Sequence, residues 1–213
     1  MRLFAAILPP RAVLEELHRV VTTAEVERPA PPQRKGLLGR LGGGSRNETA
    51  TPEGSPELDV APVEQWYFPL TSFGNVTLGD SRRLADAMRT EAGAWPQPEL
   101  HFAGGTALEW RGDDSVWAKL EGDLDALGTI GRGVPQIVQR LGFFVDRRQF
   151  RPWLAVGTIT PATTAPYLEK VVAALSAYRS PSFVVDSISL MKRLPDAESD
   201  VSFEELERMP LQA

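Results

Sequence analysis

Two short segments, Trp66–Gly74 (WYFPLTSFG) and Phe150–Val156 (FRPWLAV), hold the side chains whose types and spacing bear most directly on chemistry. Each reads as a β-strand, and in a strand alternate residues share a face. Tyr67 therefore projects with Pro69, and Trp153 with Ala155. A tyrosine with an ordinary pKa of about 10 is a poor base at neutral pH but a usable hydrogen-bond donor. An indole offers one N–H donor and no basic site. Pro69 and Ala155 bring no hydroxyl. Thr71 follows on the face expected for Tyr67 and Pro69, where its hydroxyl would reach an anion such as phosphate. Arg151 stands just ahead of the second pair, in a basic cluster with Arg147 and Arg148.

Groups that titrate near neutrality are scarce. The 213 residues contain no cysteine and two histidines, His18 and His101. That excludes thiolate chemistry and disulfides, so no metal site and no cofactor are expected. His101 lies in a predicted strand, facing away from its neighbours Leu100 and Phe102, and is read as an ordinary partly buried or edge histidine that approaches a cleft. His18 lies on a predicted helix and reads as a solvated or half-buried residue.

The flanks of the two strands, Leu70–Gly74 and Phe150–Pro152, together with the opening MRLFAAI, the Gly104-Gly105 region and the closing FEELERMPL, resemble the 2H phosphoesterase superfamily in its 2′-5′ RNA ligase-like branch. The resemblance runs along nearly the whole chain. It implies an α+β fold of two pseudo-symmetric lobes, with antiparallel sheets and flanking helices around a central cleft. It also implies His-x-Thr on each signature strand: one histidine takes a proton from the attacking hydroxyl, the other protonates the leaving oxygen of a 2′,3′-cyclic phosphate, and the threonines hold phosphate oxygens. In this chain Tyr67 and Pro69 stand at the first pair of positions and Trp153 and Ala155 at the second. Thr158 stands where the family carries an arginine. Since one positioned acid or base contributes about 10²–10⁴-fold, losing both would abolish the family reaction for practical purposes.

Tyr67 and Trp153 then have two readings: apolar bulk that plugs the old cleft, or a stacking platform for a base worth roughly 1–3 kcal/mol. The expected function is that of an inactive family member whose cleft keeps a nucleotide or an RNA end, with Tyr67, Thr71, Trp153, Arg151 and His101 as candidate ligand-binding residues. Two alternatives stand beside it: an active phosphodiesterase using displaced groups such as Thr71, His101 or Arg151, and a non-enzymatic protein-interaction module.

The elements that would position these residues follow from periodicity. Residues 2–8 read as a buried strand, and Pro9-Pro10 opens a helix with one apolar face at Val13, Leu14, Leu17, Val20 and Val21. Residues 27–62 lose periodicity and carry Gly42-Gly43-Gly44-Ser45 among several prolines, so a disordered insertion is expected within a single domain spanning 1–213. Its charged residues from Arg28 to Arg46 are all basic. Asp80 or Ser81 is the expected cap of a helix to about Ala94. Strands are expected at 99–103, 106–110 and 115–120, the last two joined as a hairpin through Arg111-Gly112-Asp113-Asp114. Residues 123–141 tend to helix, with Gly128, Gly131, Gly133 and Pro135 expected to break it into pieces. Thr163 or Thr164 caps a further helix, and closing strands are expected at 183–191 and 201–211.

The net charge of −5 argues against nonspecific nucleic-acid binding by the whole surface while allowing local basic patches. No run approaches the roughly 20 apolar residues of a membrane span, and the six apolar residues after Arg2 are too few for a signal peptide. A cytoplasmic monomer without membrane association is the expectation.

Overall fold

The computed structural model describes residues 1–24, 57–143, 150–194 and 202–213. Most of the predicted insertion, with its basic residues, lies outside these, as do Arg147 and Arg148. Strand β1 (Arg2–Ile7) leads into helix α1 (Arg11–Thr22). Strand β2 (Leu58–Asp59) and a single 3₁₀ turn at Val63–Gln65 precede β3 (Phe68–Asn75) and α2 (Leu78–Ala92). Then come β4 (Glu99–Ala107), β5 (Ser115–Gly122), α3 (Leu124–Arg140), β6 (Trp153–Ile159) and α4 (Ala165–Ala177). The short β7 (Phe183–Val184), β8 (Ser187–Arg193) and β9 (Phe203–Pro210) complete the described elements.

The strands form two antiparallel sheets, one ordered β3-β1-β8-β9 and the other β2-β6-β5-β4-β7. This is the expected α+β architecture. One continuous apolar core runs between sheets and helices, including Leu3, Ile7 and Phe68 from the first sheet and Leu100, Phe102 and Leu154 from the second. Phe68 and Phe102 stack across it at 5.9 Å. A smaller cluster of Phe4, Ala6 and Met191 covers the opposite face of the first sheet, with Tyr67 and Phe203 packed on it.

Several local expectations change. Helix α3 runs unbroken through its three glycines and Pro135. The glycines serve close packing: a Cβ on Gly133 would sit 2.4 Å from the Trp95 ring, and one on Gly131 would sit 2.5 Å from Phe150. Helix α2 starts earlier than expected because Thr77 is its cap, its hydroxyl oxygen accepting from the Asp80 backbone N–H at 3.1 Å. The two segments expected at 99–103 and 106–110 are one strand, β4, with a bulge between Phe102 and Gly105. The end of the expected insertion is ordered, since Leu58 pairs with Ile159, is buried, and fits over Gly157 where any Cβ would collide.

Both signature strands begin later than expected, β3 at Phe68 and β6 at Trp153. Both carry an inserted residue at a corresponding place, and β3 carries a second at Phe73. Ala6 pairs with Pro69 but Ala5 pairs with Thr71, which leaves Leu70 as the extra residue. Trp117 pairs with Ala155 but Val116 pairs with Gly157, which leaves Val156 as the extra residue. A bulge of this kind reverses which residues face which side.

Candidate functional site

An open cavity of about 380 Å³ lies between the two sheets. Tyr67 and Pro69 line it from the first sheet, and Trp153 and Ala155 from the second. The space is therefore not plugged by Tyr67 and Trp153. Each ring folds back onto its own sheet instead of meeting the other.

Tyr67 packs on Phe4 at 4.9 Å and edge-on to Phe203 at 5.1 Å, and Phe4 meets Phe203 at 5.2 Å. The Arg193 guanidinium lies over Phe4 and Phe203 at 5.7 and 5.9 Å and itself lines the cavity. Burial raises the Tyr67 phenol above its ordinary pKa, against a smaller opposing pull from Arg193. Tyr67 thus keeps its proton at neutral pH and acts as a donor, not a base.

The second wall has the same parts in another arrangement. Cross-strand pairing puts Trp117 beside Ala155 and Lys119 beside Trp153, on one face of the sheet. Trp117 lies 6.3 Å from Trp153 and 5.7 Å from Trp110. The Arg151 guanidinium sits 4.4 Å from the Trp110 centroid and 5.0 Å from that of Trp153, and Lys119 Nζ approaches Trp153 at 5.3 Å. Asp113 fixes this group from below. It is buried, and its carboxylate accepts from Trp117 Nε1 at 3.0 Å, from the Glu109 N–H at 3.0 Å and from the Ser115 N–H at 3.1 Å.

Three of the expected ligand-binding residues do not line the cavity. Simple alternation places Thr71 on the face of Tyr67 and Pro69; the bulge at Leu70 turns it to the core face, opposite Ala5. It is 6% exposed and its hydroxyl has no hydrogen-bond partner. Ser72, paired with Phe4, takes that sheet face in its place, outside the cavity lining. His101 pairs with Glu121, well along β5 from Trp117, and does not line the cavity. It is more deeply buried than expected, with Nε2 3.4 Å from Glu121 Oε2 but without an aligned hydrogen bond. His18 packs its ring 5.5 Å from that of Trp66 and does not line the cavity. Arg151 also stays outside the lining, its guanidinium against the Trp153 ring.

The remaining lining includes Asp59, Gln65, Thr158, Arg193 and Phe203. Thr158 reaches the cleft face because the Val156 bulge resets the alternation. Arg193 and Phe203 come from β8 and β9, far along the chain, and nothing in their local sequence marks them. Trp117, also absent from the expected site, does carry a sequence signal: it alternates with Ser115 and Lys119 in a strand whose other face is apolar. Among the described residues, the lining holds one carboxylate and no imidazole, and no group of three or more His, Cys, Asp or Glu gathers as a metal site. The arrangement offers flat aromatic faces, donors and cations. It holds no paired acid and base that exchange roles near neutrality.

No protein-family model matches the sequence, and no curated protein matches it. Solved structures do match the fold. The chain is similar to TT0787 of Thermus thermophilus (15% identity, TM-score 0.66) over 100% of this chain and 98% of that one. It is similar to Escherichia coli LigT complexed with NADP+ (16% identity, TM-score 0.64) and to the same protein complexed with 3′-AMP (17% identity, TM-score 0.63). Each of those alignments also covers 100% of this chain and 98% of the other. The fold expected from the signature strands is the one observed.

Proposed function

We propose that this chain is a 2H phosphoesterase superfamily protein of the 2′-5′ RNA ligase-like branch that has given up cyclic-phosphodiester chemistry and retains its cleft to bind a nucleotide or an RNA end. One observation carries the reading: the cavity of about 380 Å³ is open at the four positions where the family's His-x-Thr motifs would stand. Its volume lies within the roughly 300–1,000 Å³ usual for small-molecule sites.

The chemistry of the lining favours binding over turnover. Tyr67 and Trp153 supply one N–H or O–H donor each and no base at neutral pH. Arg193, with Arg151 and Lys119 behind the Trp153 wall, supplies positive charge for a phosphate. Trp117 and Trp153 supply faces for a base. The nucleotides held by Escherichia coli LigT, 3′-AMP and ATP among them, belong to the ligand class that this lining suits. The displaced groups of the active alternative are poorly placed, since Thr71 and His101 are buried away from the cavity.

Isothermal titration calorimetry with 3′-AMP, alongside incubation with 2′,3′-cyclic AMP, tests the reading. The expected result is saturable one-to-one binding without hydrolysis. Hydrolysis that disappears in His101→Ala would instead establish the active alternative. Absence of any nucleotide binding would remove the ligand reading and leave the cleft to a protein partner.

A further inference from the structure

The Trp153 wall does not end at the cavity. We propose that it continues outward as a second base-stacking station, formed by Trp110 on Arg151 beside the β4–β5 hairpin tip, so that the ligand is a single-stranded oligonucleotide. The inference rests on the nucleotide reading of the cleft and extends it.

Rings and cations alternate along this surface. Trp153 lines the cavity, Arg151 lies between Trp153 and Trp110, and Trp110 meets Trp117 at 5.7 Å. Trp110 is 42% exposed, an unusual placement for the largest apolar side chain. The loop that carries it is built, not slack. The Asp113 N–H donates to the Trp110 carbonyl at 3.0 Å, while the Asp113 carboxylate gathers three N–H donors. Leu108 is held at φ 56, the one described non-glycine residue with positive φ. Such backbone is strained and persists where its surroundings enforce it.

Of the three carboxylates in the loop, two are engaged locally and that of Asp114 is exposed. Glu109 accepts from the Thr106 hydroxyl, and Asp113 is occupied as above. Repeated flat faces interleaved with cations match a polymer that presents one base and one negative phosphate per unit. An acidic peptide would use the cations and leave the rings idle.

Calorimetry comparing 3′-AMP with a tetra-adenylate on the full chain tests the proposal. The tetranucleotide should bind roughly tenfold tighter or more, the scale of one added stacked base. Trp110→Ala should erase that gain, lowering tetra-adenylate affinity far more than 3′-AMP affinity, whereas Trp110→Phe should keep most of it. Because Trp110 is exposed, both variants should fold, which circular dichroism checks. Equal affinity for the two ligands, or a tetranucleotide gain that survives Trp110→Ala, would overturn the second station while leaving the cleft reading in place. Loss of binding to both ligands in the unmodified protein would overturn both. Hexaglutamate binding as tightly as tetra-adenylate would reduce the surface to a plain cationic patch and overturn stacking.

Discussion

The two walls of the cleft are built from matching parts and differ in where those parts face. Each has a cavity-lining aromatic side chain, two further aromatic rings and a guanidinium among them: Tyr67 with Phe4, Phe203 and Arg193; Trp153 with Trp117, Trp110 and Arg151. In the first wall the rings pack edge-to-face into a closed apolar cluster on the sheet. In the second they stand in an open row with cations against their faces and a buried carboxylate fixing Trp117. The first wall is organised as packing and the second as presentation. Similar aromatic side chains are therefore packed away in one wall and exposed along the other.

The most drastic way to break this comparison is to place an imidazole and a hydroxyl on both walls. The combined variant Tyr67→His, Pro69→Thr, Trp153→His, Ala155→Thr should gain 2′,3′-cyclic nucleotide hydrolysis of about 10²-fold or more over the unmodified chain, the scale of one positioned acid or base. A standard phosphodiesterase assay reads it, and a variant that folds but shows no gain would mean that the strands no longer align the two positions.

Single truncations should separate the walls. Tyr67→Ala removes a ring from a packed cluster and should lower unfolding stability by about 2–4 kcal/mol, measured by urea denaturation. Trp153→Ala should cost less stability and more binding, weakening nucleotide affinity by about 1–3 kcal/mol in calorimetry. If the two variants exchange these profiles, the division into packing and presentation is wrong. Asp113→Ala should destabilise by about 1–3 kcal/mol through the loss of three accepted hydrogen bonds, with Trp117 fluorescence becoming more solvent-exposed in character.

The smallest effect lies at alkaline pH. Burial raises the Tyr67 pKa, so the folded state favours the neutral phenol more than the unfolded state does. That contribution is complete below the unfolded value of about 10 and is lost as pH rises through the higher folded value. Tyr178, pushed up to about 12 by burial near Glu16, adds a decline of the same sign. The stability difference between wild type and Tyr67→Phe across this range isolates the first wall. A phenol that titrates normally would show that Tyr67 is open to solvent.

Much of the fold is legible in the sequence because apolar periodicity survives in most elements. The stripe Val13, Leu14, Leu17 and Val21 is the buried face of α1. Thr164, one of two candidate caps, receives the Tyr167 N–H and begins α4. Expectations fail where a distant partner decides local geometry. Helix α3 stays whole because Trp95 and Phe150 occupy the space its glycines leave, and neither ring adjoins them in sequence. Thr71 departs from simple alternation because a bulge is one residue inserted into a pairing, and the pairing belongs to two strands.

From residue types alone it follows that Tyr67, Pro69, Trp153 and Ala155 supply no imidazole; that His18 and His101 also stay out of the cavity lining was decided by the fold. The flanks of the same strands, read in order along the chain, announce the α+β architecture. Whether Tyr67 and Trp153 would meet and close the space, or part and leave it open, was beyond the sequence. That outcome depends on Phe203 and Arg193 drawing contacts to one wall and on Trp117, Arg151 and Asp113 fixing the other. These contacts join residues far apart in the chain, and only the folded sheets bring them within reach.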